Sequence, residues 1–241
     1  MDVLVTGASG RIGSQFVAAC DEPRLRLRRA DLRDTQPEHL SPFAYLDVTD
    51  PAACRAACRG MDGVLHLAAD PSPRADFRSA VLPVNIVGTY NLVEAAVAEG
   101  VRRFVFASSV QAVEGYPVDY QVRESDPACP VNDYGVGKAF GEALCAAAAN
   151  RSRTAFVSVR IGSYVEQRPS SHATLRDRMA WLSPRDAVQL LTLALTAPVD
   201  GHHVVHGVSD NAAKRLSLSQ TRRLLSYHPQ DDAFASDGAS I

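Results

Sequence analysis

The chain has 241 residues, 22% of them charged, and a formal net charge of −2. That length suits one domain, or one domain with a small lobe, and is ample for a full core. Near-neutral charge offers no nucleic-acid or membrane-surface footprint, the apolar stretches read as far short of a membrane span, and the first residues run straight into a strand pattern with no targeting segment.

Val3, Leu4 and Val5 form a buried-strand run, followed by Gly7-Ala-Ser-Gly10-Arg-Ile-Gly13 and then an amphipathic stripe of Ile12, Phe16, Val17 and Ala19. Strand, glycine turn and helix in that order predict a dinucleotide-binding turn. Gly7 permits the tight turn, Gly10 lets a pyrophosphate approach the backbone, and Gly13 brings the helix close to the strand. The helix start supplies unpaired N–H groups and a positive dipole end. A second strand is expected over residues 25–30, ending at Asp31, where a carboxylate can bind the adenosine ribose hydroxyls. Arg28, Arg29 and Arg33 crowd it and could instead take a 2′-phosphate, but the carboxylate would repel that group, so NAD is favoured over NADP.

A third strand over residues 43–46 leads into Asp47-Val48, with Asp47 placed to meet the adenine amino group. A helix is expected over residues 51–59, then a strand over 63–69 whose exit residues, Ala68 and Ala69, leave room for a cofactor. The Pro-rich loop 70–76 suits a substrate-facing position. Residues 85–99 carry a helical stripe, and residues 103–109 a strand ending in Ser108-Ser109. Residues 115–132 read as a loop, 133–149 as a helix and 154–160 as a strand closed by Ile161-Gly162-Ser163. Residues 164–183 are polar. Ser183 caps a further helix, residues 202–208 form a last strand, and 217–227 a short helix. The tail after Pro229 reads as frayed. This alternation predicts an α/β, Rossmann-type, doubly wound parallel sheet in a single domain over 1–241, with a small C-terminal substrate lobe at about 163–183 and 209–241. The five cysteines are odd in number and lack zinc-type pairing, which predicts reduced thiols, a cytoplasmic location and no metal site.

Tyr134-Gly-Val-Gly-Lys138 is the sharpest feature. Positions i and i+4 share a helix face, so phenol and ammonium point into one space. A phenol titrates near ~10, and bringing it to neutrality needs about 4 kcal/mol of differential interaction. A lysine and a positive nicotinamide are expected to supply it together, making Tyr134 a general base for a hydroxyl proton. The chain has only two lysines and seven tyrosines, so chance would supply this spacing roughly 0.06 times. Ser109 is expected to hydrogen-bond both the reacting oxygen and the phenol; Ser108 is the alternative, since strand side chains alternate faces and one of the pair points away.

Gly7-x-x-Gly10-x-x-Gly13, Asp31, Asp47-Val48, His66-Leu-Ala-Ala69, Asn85, Ala107-Ser-Ser109 and Tyr134-x-x-x-Lys138 together resemble the short-chain dehydrogenase/reductase superfamily, in its extended, NAD-dependent epimerase/dehydratase branch. The resemblance covers about residues 1–210. It implies that Tyr134 is the base, that Lys138 holds the nicotinamide ribose and lowers the phenol pKa, and that Ser109 orients substrate. About 80 residues follow Gly162, too few for a lobe that grips a nucleotide-linked sugar. Val159-Arg-Ile-Gly-Ser163, Arg178-Met179, Trp181 and Ser183-x-x-Asp186 resemble the uronate dehydrogenases, which are NAD enzymes oxidising the C1 hydroxyl of a hexuronic acid to a lactone. Where they have Asn-His after the serine pair, this chain has Val110-Gln111.

The resemblance implies cofactor contacts at Gly7, Ser9, Gly10, Arg11, Ile12, Gly13, Asp31, Leu32, Asp47, Val48, Leu67, Ala68, Ala69, Asn85, Lys138 and Ile161. It implies substrate contacts at Ser72, Ser109, Val110, Gln111, Tyr134, Ser163 and Arg178, with Arg178 clamping a carboxylate and Arg176 competing for that part. The expected activity is hydride transfer between nicotinamide and a small sugar or sugar acid. An epimerase or dehydratase, and a non-catalytic NAD(P) sensor, are the alternatives. Analogy with relatives adds a homodimer through the helices at 85–99 and 133–149.

Overall fold

The computed structural model describes residues 1–35, 37 and 41–235. Strands β1 (Asp2–Thr6), β2 (Arg26–Asp31), β3 (Phe43–Tyr45), β4 (Gly63–His66), β5 (Arg103–Ser109), β6 (Ala155–Ile161) and β9 (His202–Gly207) form one sheet, ordered β3-β2-β1-β4-β5-β6-β9, with every pair parallel. Two further strands, β7 (Ser163–Tyr164) and β8 (Trp181–Leu182), pair with each other beyond the end of β6. This is the doubly wound sheet read from the alternating pattern. Strand order reverses between β1 and β4, so a crevice opens at their C-terminal ends.

Both faces are apolar because successive strand residues alternate sides. Val3, Val5, Leu65, Val105, Val157 and Val159 join one core, shared with Phe16 of α1 (Arg11–Ala19) and Leu190 and Leu191 of α6 (Pro184–Thr196). Leu4, Val64, Phe104, Phe106 and Phe156 join the other. That face is covered by α2 (Pro51–Cys58), α3 (Thr89–Ala98) and α4 (Asp133–Ala149). Three of these helix starts are secured by side-chain caps. The Asp50 carboxylate accepts from the Ala52 and Ala53 N–H groups, Asn132 accepts from Gly135 N–H, and the Ser183 hydroxyl accepts from Asp186 N–H.

Three expectations need correction. The helix expected at 85–99 begins earlier: Phe77–Gly88 is a π-helical segment running into α3. Pro83 lies inside it, and the Val81 N–H reaches back five residues to the Asp76 carbonyl (3.1 Å). Proline has no N–H for a regular ladder, and the wider π-helical turn accommodates it. The combined run Phe77–Ala98 is long and apolar enough to span a membrane by length and composition, contrary to the reading of short apolar stretches; half of it is buried in the fold. The tail after Pro229 is tied down as far as it is described. The Gln230 and Asp231 N–H groups donate to Asp186, and the Ala233 N–H donates to Asn211. Residues 236–241 of the expected lobe lie outside the described residues.

The lobe region carries one short helix, α5 (Leu175–Met179), between β7 and β8, and α7 (Ser219–Leu225) packs against β9.

Candidate active site

A cleft of about 640 Å³ runs from the glycine turn across the ends of β5 and β6, beside a pocket of about 270 Å³ toward β2 and β3. Gly7 stands at φ +69°, and a Cβ there would sit 2.6 Å from the Ala68 nitrogen. A Cβ on Gly13 would sit 2.2 Å from the Gly7 carbonyl oxygen. Both positions therefore exclude any side chain, because backbone meets backbone. Gly10 caps α1 without a side-chain hydrogen bond, so no side chain claims the first-turn N–H groups.

In the smaller pocket Asp31 closes β2. Its carboxylate accepts from Ser9 N–H (2.9 Å) and Leu32 N–H (2.7 Å). Asp47 is held by Thr49, whose N–H and hydroxyl donate to it at 2.9 and 2.7 Å. Leu32, Val48, Leu67, Ala68 and Ala69 line the same space. The arginines around Asp31 separate. Arg29 is buried, donates to the Ser41 carbonyl (2.9 Å), pairs with Asp34 and lies over the Phe43 ring, so it is unavailable to a 2′-phosphate; Arg33 lines the pocket. The tight glycine turn and the acidic strand end fit NAD. Asn85 acts one layer back. Its amide accepts from Asp70 N–H and donates to the Asp70 carbonyl (2.8 and 3.0 Å), bracing the loop after β4. Beside it His66 hydrogen-bonds Thr6 and Thr89, and burial pushes its pKa down to about 3.

In the larger cleft Arg11, Ile12, Ser109, Val110, Gln111, Tyr134, Lys138, Ile161 and Ser163 come together. Tyr134, Lys138 and Glu142 fall four apart on α4 and share one face. Glycines between them let α4 approach its neighbours. A Cβ on Gly135 would lie 2.3 Å from the Gln111 carbonyl oxygen, and one on Gly141 2.2 Å from the Phe106 ring. Glu142, buried, accepts two hydrogen bonds from Arg160 of β6 (2.9 Å each) and one from the Ser108 hydroxyl (2.5 Å). Ser108 thus bonds Glu142 and Ser109 the phenol, so both serines reach the same face of α4, and both line the cleft.

Lys138 shares the cleft with the phenol. Its Nζ donates to the Ala107 carbonyl (2.7 Å) and lies 5.5 Å from the Tyr134 ring centroid, over the ring rather than at the hydroxyl. Burial pushes its own pKa down to about 8. Burial also raises the Tyr134 phenol. The groups that pull it back down are the Ser109 hydroxyl and the positive Arg11, while Asp70 raises it further. An ammonium carries three donors, so the bond to the Ala107 carbonyl orients the amine without exhausting it.

At the far end the two candidate arginines part. Arg176 lines the cleft. Its Nε and Nη2 donate to both oxygens of Glu114 (2.9 and 2.5 Å), and its Nη1 to Ser163 (3.0 Å) and Asp177 (3.2 Å). Arg178, expected to clamp a carboxylate, faces the C-terminal segment instead. It stacks on Phe234 at 4.1 Å and donates to the Ala233 carbonyl (3.3 Å). The two are separated by two residue steps, about 200° around the helix, so α5 cannot present both to the cleft. Pro71 and Pro73 line the cleft on either side of Ser72, whose hydroxyl accepts from Arg74 N–H (3.2 Å). Gln111 is anchored through its side-chain oxygen to Asn132 (2.7 Å).

Sequence reading passed over Glu114, which pairs with Arg176, and Tyr164, which lines the cleft, and also Thr6, Ala30 and Val84 around the adenosine pocket. A lone acid in a loop carries no pattern that points to an arginine 62 residues on.

Residues 3–172 match the NAD dependent epimerase/dehydratase family. The chain is 36% identical to the NAD-dependent glucose-6-phosphate dehydrogenase of Haloferax volcanii, over 96% of this chain and 94% of that protein. It is 34% identical to the L-arabinose 1-dehydrogenase (NAD(P)(+)) of the same organism, over 96% and 97%. Among solved structures it is similar to a tyrosine-to-alanine variant of uronate dehydrogenase from Agrobacterium tumefaciens complexed with NAD, with TM-score 0.85, 35% identity, and coverage of 96% of this chain and 85% of that one. With the glycine turn, the acidic strand end and the Tyr134–Lys138 pair in one cleft, and with its family match spanning most of its length, the chain belongs to the NAD-dependent epimerase/dehydratase family.

Proposed function

We propose that the chain is an NAD-dependent dehydrogenase that oxidises the ring carbinol of a small, nucleotide-free sugar. The observation that carries this reading is the convergence of Ser109, Tyr134 and Lys138 on one cleft with the glycine turn. Tyr134 takes the proton of the sugar hydroxyl as the carbinol carbon loses hydride, and Ser109 holds the reacting oxygen. NAD, when bound, would supply the hydride acceptor and, before transfer, a positive ring beside the phenol. Lys138, locked on the Ala107 carbonyl, presents its charge to the nicotinamide ribose. Ser109 and Arg11 lower the phenol pKa against the burial that raises it. Gly7, Gly10 and Gly13 admit the pyrophosphate, Asp31 takes the adenosine ribose, and Asp47-Val48 flank the adenine. The substrate sits among Val110, Gln111 and Ser163, with Ser72 at the edge.

The reading takes residues 1–241 as one domain whose lobe at 163–183 and from 209 onward encloses the sugar. Its partners are small molecules. Five free cysteines, three of them buried with thiols pushed up to about 12, support a cytoplasmic location. Exposed Leu82, Tyr90 and Val136 support a homodimer through the π-helical segment, α3 and α4.

The test is the growth of reduced-nicotinamide absorbance with NAD and a panel of aldoses, uronic acids and polyols. The expected result is turnover that falls at least about 10²-fold in Tyr134→Phe while NAD binding persists. Binding of NAD without turnover of any sugar defeats the dehydrogenase reading. Sugar isomerisation without net reduction points to an epimerase.

A further inference from the structure

We propose that Glu114 sets the charge selectivity of the sugar site, so that the enzyme prefers an aldose that is uncharged at the end remote from C1 over the matching uronate. The proposal rests on the dehydrogenase reading above and specifies its substrate class.

Two arginines line the cleft, Arg11 beside the phenol and Arg176, the only arginine of α5 there; Arg176, against Ser163, is the group a carboxylate remote from the reacting carbon would seek. Its two-donor edge is already filled by Glu114, and its remaining nitrogen donates to Ser163 and Asp177. Both members of the Arg176–Glu114 pair are about four-fifths buried, so water does little to screen or replace the bond. The charges facing one another there are Arg176, Glu114, Asp177 and the buried Arg215, two of each sign.

Arg215 cannot reach a ligand. It is fully buried and donates to the carbonyls of Pro117 (2.5 Å), Tyr116 (2.7 Å) and Glu114 (3.3 Å). Those bonds hold the backbone that carries Glu114, so the carboxylate cannot swing away cheaply. A uronate would have to displace Glu114 from Arg176 and leave one carboxylate unpaired beside another. A neutral aldose needs no such displacement. Its hydroxyls can bond the Ser163 hydroxyl and the Gln111 amide N–H groups, which the Asn132 contact leaves free to donate.

The experiment compares D-galactose with D-galacturonate, and D-glucose with D-glucuronate, in the wild-type chain and in Glu114→Gln. It reads kcat/KM with NAD, and sugar affinity by calorimetry in the presence of NADH. Wild type is expected to favour each aldose over its uronate by at least about tenfold, and Glu114→Gln to shift that ratio toward the uronate by about tenfold or more. Equal or tighter binding of the uronate by wild type overturns the proposal, even if the variant fails to fold. So does a folded, NAD-binding Glu114→Gln whose ratio is unmoved. Preferential aldose binding without turnover sinks the dehydrogenase reading and leaves charge selection standing.

Discussion

The two ends of the cleft are built by different means. The dinucleotide end is written in the backbone: Gly7 and Gly13 sit where a single methyl would strike main-chain atoms at 2.6 and 2.2 Å, and Asp31 is gripped by two N–H groups. The sugar end is written in side chains: Arg176, Glu114 and Ser163 come from three separate elements and hold one another. A backbone site tolerates almost no substitution but needs only local sequence. A side-chain site can be retuned by one residue, and its character depends on partners far apart in the chain.

That contrast can be broken most severely at Gly13. Gly13→Ala drives a Cβ into the Gly7 carbonyl. Overpacking of this kind costs roughly 1–3 kcal/mol. NAD affinity, read by fluorescence titration, is expected to fall about tenfold to a hundredfold. Unchanged affinity would mean the turn is softer than its contacts imply. Asp31→Ala, next in size, removes an acceptor but leaves the turn intact. NAD is expected to weaken by about tenfold while NADP, freed from the carboxylate's repulsion, loses less. A parallel loss of both would remove the charge argument.

A third prediction concerns acid. Burial holds His66 near the dinucleotide end and His206 on β9 at about 3. Their folded values lie below the ordinary 6.5, so the unfolded chain binds more protons between those limits. Their contribution to stability is therefore complete above pH about 6.5 and declines as pH falls toward 3. Thermal melts are expected to drop through that window, and His66→Gln to flatten the slope while lowering stability at neutral pH. A slope identical to wild type would assign the acid sensitivity elsewhere. The smallest effect is expected at Arg178→Met, which loses the Phe234 stack and a carbonyl bond outside the cleft. The loss is about 1 kcal/mol of stability, seen as a shift of a few degrees, with kcat/KM within twofold. A large fall in kcat/KM would return Arg178 to the sugar site.

Much of the dinucleotide end was legible because its signals are short-range. The spacing of three glycines, the apolar strand before them and the acid 18 residues later each lie within one β–α–β unit. Tyr134 and Lys138 were legible for the same reason: one helical turn places them together. The start of the helix at 85–99 was missed because the segment before it, Phe77–Gly88, is π-helical and does not follow the 3.6-residue stripe. The frayed reading of residues 230–235 failed because Asp186 and Asn211, the acceptors for their N–H groups, come from distant elements.

The sequence by itself determined the alternating pattern, the strand that ends in Ser109, the phenol–amine pair and the turn that admits a pyrophosphate. Each follows from the 2.0 and 3.6 residue periods and from glycine's missing Cβ. Tertiary structure alone decided which arginine of α5 lines the cleft, which acid pairs with it, and which carbonyl holds Lys138. Those outcomes depend on through-space distances between segments up to 101 residues apart, as in the Arg215 bond to the Glu114 carbonyl. A hydrogen bond is made or lost within less than an ångström, a margin no residue spacing encodes.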